Sequence, residues 1–335
     1  ISNPQDLFKK VISHAKEYGF VFQSSEIYDG LSAVYDYGQN GTELKKNIRD
    51  YWWKAMVQMN SNIVGLDAAI FMHPTTWKAS GHIDAFNDPL IDNKDSKKRY
   101  RADVLVEDYC AKIEQKIEKE VKKAKKRFGD DFDKAEFMTT NGRVLGYRKK
   151  INSILKRLSK SLENEDLSDV KALIEELEIA DPISGSRNWT DVKQFNLMFG
   201  TKLGASAESA MDLYLRPETA QGIFVNFLNV QKSSRMKIPF GIAQIGKAFR
   251  NEINPRNYTF RSREFEQMEL EYFIKPNTDN EMHEYWVSER LNWYEKIGIH
   301  RENLYLDQHK EDALAHYASA CTDIMYEFPF GIQEL

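Results

Sequence analysis

The residues best suited to chemistry are concentrated between Phe249 and Glu271. The run reads Phe249-Arg250-Asn251-Glu252, a loop through Pro255 and Arg256, then Phe260-Arg261-Ser262-Arg263-Glu264 and Phe265-Glu266-Gln267-Met268-Glu269-Leu270-Glu271. Guanidinium forks match phosphate oxygens bidentately. A ring standing on a polar face suits stacking on a base, and carboxylates withdrawn from water need a cation beside them. In a strand, residues two apart share a face. Phe265, Gln267, Glu269 and Glu271 therefore line one side, while Met268, Leu270 and Tyr272 line the other. A single strand–turn–strand hairpin would thus present arginines, one ring and several carboxylates to one pocket, the inventory for a nucleoside triphosphate next to a positive group. Taken singly, each has a plainer use. Arg250, Arg261 or Arg263 would serve as an ion-pair partner of Glu252 or Glu264, Phe265 as a core residue, and Glu269 and Glu271 as salt-bridge residues of an exposed sheet. The constellation favours the pocket.

Other routes to nucleotide or hydrolytic chemistry are missing. The chain has no Gly-x-x-x-x-Gly-Lys-Ser/Thr loop and no Gly-x-Gly-x-x-Gly after a strand. Its seven histidines, His283, His300, His309 and His316 among them, show no metal-ligand spacing and no nucleophile–His–acid pattern. Glu218, in Tyr214-Leu215-Arg216-Pro217-Glu218-Thr219, follows a proline at the start of an expected helix. There it serves either as ordinary first-turn charge or as another pocket carboxylate.

The elements that must position these groups are legible from periodicity. Residues 5–19 and 42–60 read as amphipathic helices, the second with Leu44, Ile48, Trp52 and Ala55 at helical spacing. Ile63 to Met72 reads as an apolar strand closed by His73-Pro74. Strands are expected at Gln194–Phe199, Asp212–Leu215, Ile242–Ile245 and Phe265–Phe273, with helices at Thr219–Gln231 and Asn280–Ile297. Strands separated by single helices and long hairpins, without regular βαβ spacing, predict an α+β fold with a mainly antiparallel sheet. Between about 104 and 180 the composition shifts to charged helix. Residues 112–160 hold 16 Lys/Arg against 7 Asp/Glu, so a chain of net charge −4 carries one locally basic segment. That segment is either a solvated helical pair or a surface for RNA phosphates. Two distant cysteines, an N-terminus unlike a signal peptide and no apolar run near the roughly 20 residues of a membrane span predict a soluble, cytoplasmic protein.

With these strings in view the sequence resembles the class II aminoacyl-tRNA synthetases, and within them the dimeric glycyl-tRNA synthetases. Phe249-Arg250-Asn251-Glu252 followed by Arg261-x-x-x-Phe265-x-x-x-Glu269 is similar to the second signature motif of the class. Arg216-Pro217-Glu218-Thr219-Ala220-Gln221-Gly222-Ile223-Phe224, Gly65-Leu66-Asp67-Ala68-Ala69-Ile70, Trp77-x-Ala79-Ser80-Gly81-His82 and Phe328-Pro329-Phe330-Gly331-x-x-Glu334-Leu335 resemble the glycine-specific branch. The resemblance covers about residues 5–100 and 180–335.

The resemblance implies an antiparallel catalytic sheet flanked by helices, split as an N-terminal part (1–103), a basic insert (104–180) and the core with the second motif (181–335). It implies ATP-dependent attachment of glycine to tRNA(Gly) through glycyl-adenylate, with Mg²⁺, by a homodimer joined through the 42–60 helix and the following strand. By the same resemblance ATP contacts Arg250, Asn251, Glu252, Phe260, Arg261, Ser262, Arg263, Glu264, Phe265, Glu334 and Leu335, and Glu334 touches the accompanying Mg²⁺. Arg250, Glu252 and Arg261 are the expected catalytic residues. Glycine is expected against Arg101, Glu218, Phe265, Glu266, Gln267, Met268 and Glu269. Many family members carry Cys-x-x-Cys knuckles where this chain reads Asp92-Asn93-Lys94-Asp95 and Asp181-Pro182-Ile183-Ser184, so no zinc site is expected. The family continues into a third motif and an anticodon-binding domain, so the chain is expected to be an incomplete catalytic portion, impaired by itself. A non-catalytic binding module derived from a synthetase, or a class II enzyme for serine or alanine, are the competing readings. Retention of Arg250, Glu252, Phe265, Glu269 and Glu218 counts against the first.

Overall fold

A nearly continuous apolar run over 240–249 and an alternating one over 264–273 give the two longest strands of the computed structural model, which describes residues 4–129, 132–205, 210–253, 257–310, 314–315 and 317–335. Pro255, Arg256 and His316 lie outside the described residues. In chain order the first elements are α1 (Pro4–Glu17), β1 (Val21–Gln23), β2 (Tyr35–Tyr37), α2 (Gln39–Trp53), β3 (Ile63–Gly65), α3 (Pro74–Ala79) and the short α4 (His82–Ala85). Next come β4 (Asn87–Asp92), β5 (Arg99–Arg101), α5 (Ala102–Phe128), α6 (Lys134–Thr140), α7 (Gly142–Glu163), α8 (Leu167–Glu176) and β6 (Lys193–Asn196). The last stretch holds β7 (Gly200–Leu203), β8 (Met211–Tyr214), α9 (Ala220–Ser234), β9 (Phe240–Phe249), β10 (Glu264–Phe273), α10 (Asp279–Lys296), β11 (Leu304–Gln308), β12 (Thr322–Phe328) and β13 (Gly331–Glu334). Two units result: Ile1–His82 with Met198–Leu335, and Ile83–Leu197.

In the first unit, β9 and β10 pair antiparallel from Glu264↔Phe249 to Phe273↔Phe240, and β3 adds to β9 in parallel. One face of the hairpin, with Ala243, Ile245, Met268, Leu270 and Tyr272, packs on Trp52 of α2, on Met56 just after it and on Trp293 of α10. At its far end the opposite face packs Phe240, Ile242 and Phe273 on Ile223 and Phe227 of α9. The 42–60 helix starts earlier, at Gln39, and its final turn loosens into a π-helical turn over Lys54–Gln58. The expected strand Ile63–Met72 keeps ladder pairing only to Gly65. Beyond it, backbone groups of Ala68 bond to buried side chains, Ala68 N–H to Gln244 Oε1 (2.6 Å) and Ala68 C=O to Arg216 Nη1 (2.8 Å). Those side chains replace a neighbouring strand, so the segment leaves the sheet. A separate antiparallel meander, β11-β12-β13, closes the unit's sequence.

The second unit runs from Ile83 to Leu197, wider at both ends than the 104–180 stretch set apart by charge. Its flanks are sheet: β5-β4-β6 pair antiparallel and support the helices. Along α5, Val106, Cys110, Ile113 and Ile117 form a stripe that meets Val144, Ile151, Ile154 and Leu158 of α7 and Val170 and Ile174 of α8. Lys112, Lys116, Lys119, Lys122, Lys123 and Lys126 point to solvent. The amphipathic repeat sends each charge outward because burying it would cost far more than burying the aliphatic stripe stabilises.

At the Asp92–Asp95 and Asp181–Ser184 stretches, hydrogen bonds hold this unit together. Buried Asn93 takes the Asp95 and Ser96 N–H groups on Oδ1 (3.1 and 3.0 Å) and donates to Ser186 C=O (3.2 Å). Asp181, 2% exposed, accepts from Tyr100 OH, from Ser184 Oγ (2.6 Å) and from Ile183 N–H (2.9 Å). Burial alone would raise the Asp181 carboxyl, yet bonds from Ser184, Ser96 and Tyr100 outweigh it and hold the group well below the usual carboxylate range. Asp181→Ala would strand three donors and is expected to cost about 1–3 kcal/mol in a denaturant titration. The native contribution of a depressed carboxyl is present above its unfolded pKa and fades as pH falls through the folded one, so wild type and Asp181→Ala should converge in strong acid.

Candidate active site

The strand alternation decides which groups share a face. Opposite the Met268–Leu270–Tyr272 side, β10 presents Phe265, Gln267, Glu269 and Glu271 over Ala248, Gly246, Gln244 and Ile242 of β9. Above this face runs the segment from Arg216 to Thr219, just before α9. Arg216 is 2% exposed and spends its guanidinium on backbone, donating to Lys247 C=O (2.6 Å) and Ala68 C=O (2.8 Å). Gly246 makes this possible: a Cβ there would stand 2.2 Å from Arg216 Nη2. Gln244, fully buried, bridges Ala68 N–H and Thr219 C=O (3.2 Å). Thr219 in turn donates its N–H to Gln267 Oε1 (3.1 Å) and its hydroxyl to Glu269. None of Arg216, Gln244 and Thr219 stands out as a site residue in the sequence. The signal for Gln244 was a polar residue inside an otherwise apolar strand run, which usually marks a buried partner.

Three carboxyls gather here in unlike states. Burial pushes Glu218 up, but His82 (3.4 Å), Gln221 and the charge of Arg250 pull it below its ordinary value. Glu269 is raised, by burial first and by Glu218, against the Thr219 hydrogen bond and Arg250. Glu271 is pushed from 4.5 to about 7 by burial, Glu269 and Glu218, with no cation to offset them. The face is therefore short of positive charge, and an ammonium group placed among these carboxyls would be strongly held.

At the loop end of the hairpin, Arg250 lies over the Phe265 ring (5.3 Å to its centroid) and donates Nε–H to Pro217 C=O (3.1 Å). One cavity of about 970 Å³ opens beside them. Its wall includes Arg250, Glu252, Phe260, Arg261, Ser262, Phe265, Glu334 and Leu335, eight residues of the nucleotide set inferred from sequence. Phe260 is fixed edge-on against Phe328 and Phe330. Arg261 approaches Glu252 at 3.9 Å, a loose pair in which Arg261 is half-exposed and its guanidinium displaceable.

Asn251, Arg263 and Glu264 are not part of that wall. Arg263 is committed to backbone, donating to Glu252 C=O (3.0 Å) and Ser32 C=O (2.8 Å), and so ties the hairpin's ends. Glu264 pairs with Lys247. In the glycine set the structure brings Glu218, Gln267 and Glu269 together around Thr219. Glu266 and Met268 stand on the opposite face, Glu266 paired with Lys45 (3.3 Å) and Arg49 (3.6 Å) of α2, because an odd step along a strand reverses the side chain. Arg101 belongs to the second unit, where Asp88 (3.1 Å) and Asp103 (2.6 Å) hold it.

Glu271 yields a stability test. Its folded pKa of about 7 exceeds its ordinary value, so the folded state binds the extra proton and stability is lost as pH rises from about 4.5 through 7. Glu271→Gln should flatten that decline and be more stable than wild type at pH 8 by up to about 3 kcal/mol. Thermal midpoints across pH 4.5–8 would show it; parallel curves for the two proteins would refute it.

The chain also matches known proteins. Residues 88–197 match the family model of glycyl-tRNA synthetase insertion domain 1, and residues 203–331 that of the tRNA synthetase class II core domain (G, H, P, S and T). A glycine–tRNA ligase of Chlorobaculum tepidum is 50% identical over 327 residues, covering 97% of this chain and 63% of that protein. Those of Macrococcus caseolyticus and Staphylococcus aureus are 48% and 46% identical over 325 residues, 97% of this chain and 61% of theirs. The chain thus spans less than two thirds of the length of these curated relatives. With both family models on one chain and its relatives matched across nearly all of it, the chain belongs to the class II tRNA synthetases, in the glycyl-tRNA synthetase group.

Proposed function

We propose that this chain supplies the adenylate-forming site of a glycine–tRNA ligase, activating glycine with ATP and passing the glycyl group to tRNA(Gly). One observation carries the reading: Glu218, Glu269 and Glu271 form a cation-deficient cluster beside the Arg250–Phe265 pair, and that pair also lines the large cavity, whose wall continues past the hairpin edge to Glu266 and Met268. The glycine ammonium group sits between Glu218 and Glu269, with Thr219 holding the second carboxylate in place. Adenine stacks on Phe265, and Glu252 and Arg261 separate to receive the nucleotide. Arg250 takes the charge that builds on the α-phosphate oxygens as the glycine carboxylate attacks and pyrophosphate leaves. No side chain acts as general base, because that carboxylate is already ionised. Glu334, a cavity carboxyl raised by burial and by Asp323, fits the Mg²⁺ that accompanies ATP, which would neutralise phosphate charge. Specificity follows from exclusion, since a pocket closed around the smallest amino acid rejects a methyl group by clash. The same reading assigns a cytoplasmic homodimer joined through α2 and β3. No helix among the described residues is long and apolar enough to cross a membrane.

Pyrophosphate exchange by the full-length protein tests this. Exchange should depend on glycine and be far slower with alanine or serine; equal rates with alanine would sink the specificity claim. Glu269→Ala should lose glycine-dependent exchange, and Arg250→Ala should lose about 10²-fold or more in kcat.

The solvent-facing lysines of α5 suit the phosphates of tRNA. Deleting 112–160 would remove Ile113, Ile117, Val144 and Ile151 from the second unit's core, so charge reversal is the cleaner test. Lys119→Glu, Lys122→Glu, Lys123→Glu and Lys126→Glu together should weaken tRNA charging, most at low salt, and spare exchange. Equal damage to both reactions would refute an RNA role.

A further inference from the structure

Outside the pocket, the β11–β12–β13 meander gathers a second set of chemically able groups. Register places Tyr305, Asp307, Asp323, Met325 and Glu334 on one face, since Asp307 pairs with Asp323, Tyr305 with Met325 and Met325 with Glu334. The His309 N–H bonds to Cys321 C=O (3.0 Å), which extends the ladder one step and puts both side chains on that face. There His309 Nε2 lies 2.8 Å from Asp323 Oδ2, and Cys321 Sγ lies 3.7 Å from Asp323 Oδ1. One carboxylate thus spans an imidazole and a thiol, and ligand atoms of all three lie within 4.8 Å of one another.

We propose that His309, Cys321 and Asp323 form a binding site for a single Zn²⁺ ion. Zinc bonds of about 2.0–2.3 Å in a tetrahedron put neighbouring ligand atoms roughly 3.3–3.7 Å apart, so the three groups need only small side-chain adjustments. One nitrogen, one thiolate sulfur and one carboxylate oxygen make a borderline-soft set. It favours zinc over Mg²⁺ or Ca²⁺, which take oxygen ligands. The surroundings call for a cation. Asp307 and Asp323 are directly opposed across the ladder, an arrangement of like charges that destabilises a strand pair. The His309 and Asp323 side chains are 31% and 23% exposed, which leaves an entry path and room for water in the fourth position. On binding, sulfur forms a bond to zinc and the thiol proton leaves to solvent; nothing is oxidised or reduced. The ion would pin β11 to β12 beside Glu334, the cavity carboxyl on the same face. The histidine spacing gave no hint of this, because the ligands come from two strands and meet only through their register.

Cobalt reports such a site directly. Stripped full-length protein titrated with Co²⁺ should develop a thiolate-to-metal charge-transfer band that saturates at one equivalent and is bleached by Zn²⁺. Cys321→Ser should abolish the band, while Cys110→Ser, at the other cysteine, should keep it. His309→Ala and Asp323→Asn should each weaken Zn²⁺ binding by more than about tenfold in calorimetry, the least that losing a direct ligand costs. Circular dichroism would establish that each variant is folded. Absence of the band in the parent protein, or its persistence in folded Cys321→Ser or unchanged Zn²⁺ affinity in folded His309→Ala, would overturn the site.

Discussion

Arg216 is the constraint on which the rest of the pocket hangs. A guanidinium at 2% exposure is costly unless its donors are satisfied, and here backbone carbonyls from two distant segments satisfy them. One bond reaches Ala68, beyond β3, and the other reaches Lys247 in β9; the Phe249 N–H bonds back to Arg216 C=O at 2.9 Å. Three pieces of chain are thereby fixed against one another without a shared strand ladder. Pro217, Glu218 and Thr219 follow immediately, so the position of the first pocket carboxylate, the carbonyl that holds Arg250 and the hydroxyl that holds Glu269 all derive from this anchor. The empty space above Gly246 is a condition of it.

Around that anchor the fold arranges a deliberate imbalance of charge. β10 buries an apolar face against the Trp52–Trp293 core, and this packing locks the register that brings Glu269 and Glu271 to the other side. Held there with little cation to offset them, the carboxyls compete for protons, which is why Glu271 titrates near neutrality while Glu218, beside His82, stays ionised. A ligand ammonium would relieve the same repulsion, so folding strain and ligand affinity draw on one source. Arg250 stands between the acidic patch and the large cavity, able to neutralise charge on either side.

Much of this was legible in the sequence. The hairpin, the helices at both ends of the first unit and the two-faced character of β10 follow from local periodicity. So does the outward turn of the α5 lysines, which needs only an amphipathic repeat. The strand expected over Ile63–Met72 ended early because the Ala68 C=O and N–H were satisfied by Arg216 and Gln244, side chains about 150 and 175 residues further along the chain. Glu266 and Met268 sat in the right string but on the wrong face for the Glu269 pocket, although the alternation that separates them is itself a local rule.

Sequence alone determined which residue types lie on which side of each strand, and through its long matching strings the family to which the chain belongs. Backbone sterics and period-two geometry act over a few residues, so they leave a readable trace. Tertiary structure alone decided which partner each polar group meets. Arg216, Arg250, Arg261 and Arg263 are chemically identical, yet one is buried as a structural tie, one faces a ring and a pocket, one rests on Glu252 and one closes the hairpin on backbone. The same holds for His309, Cys321 and Asp323, ordinary surface residues until strand register sets them side by side. A hydrogen-bonding group takes whichever acceptor the packed chain brings within about 3 Å, and that depends on contacts hundreds of residues apart in sequence.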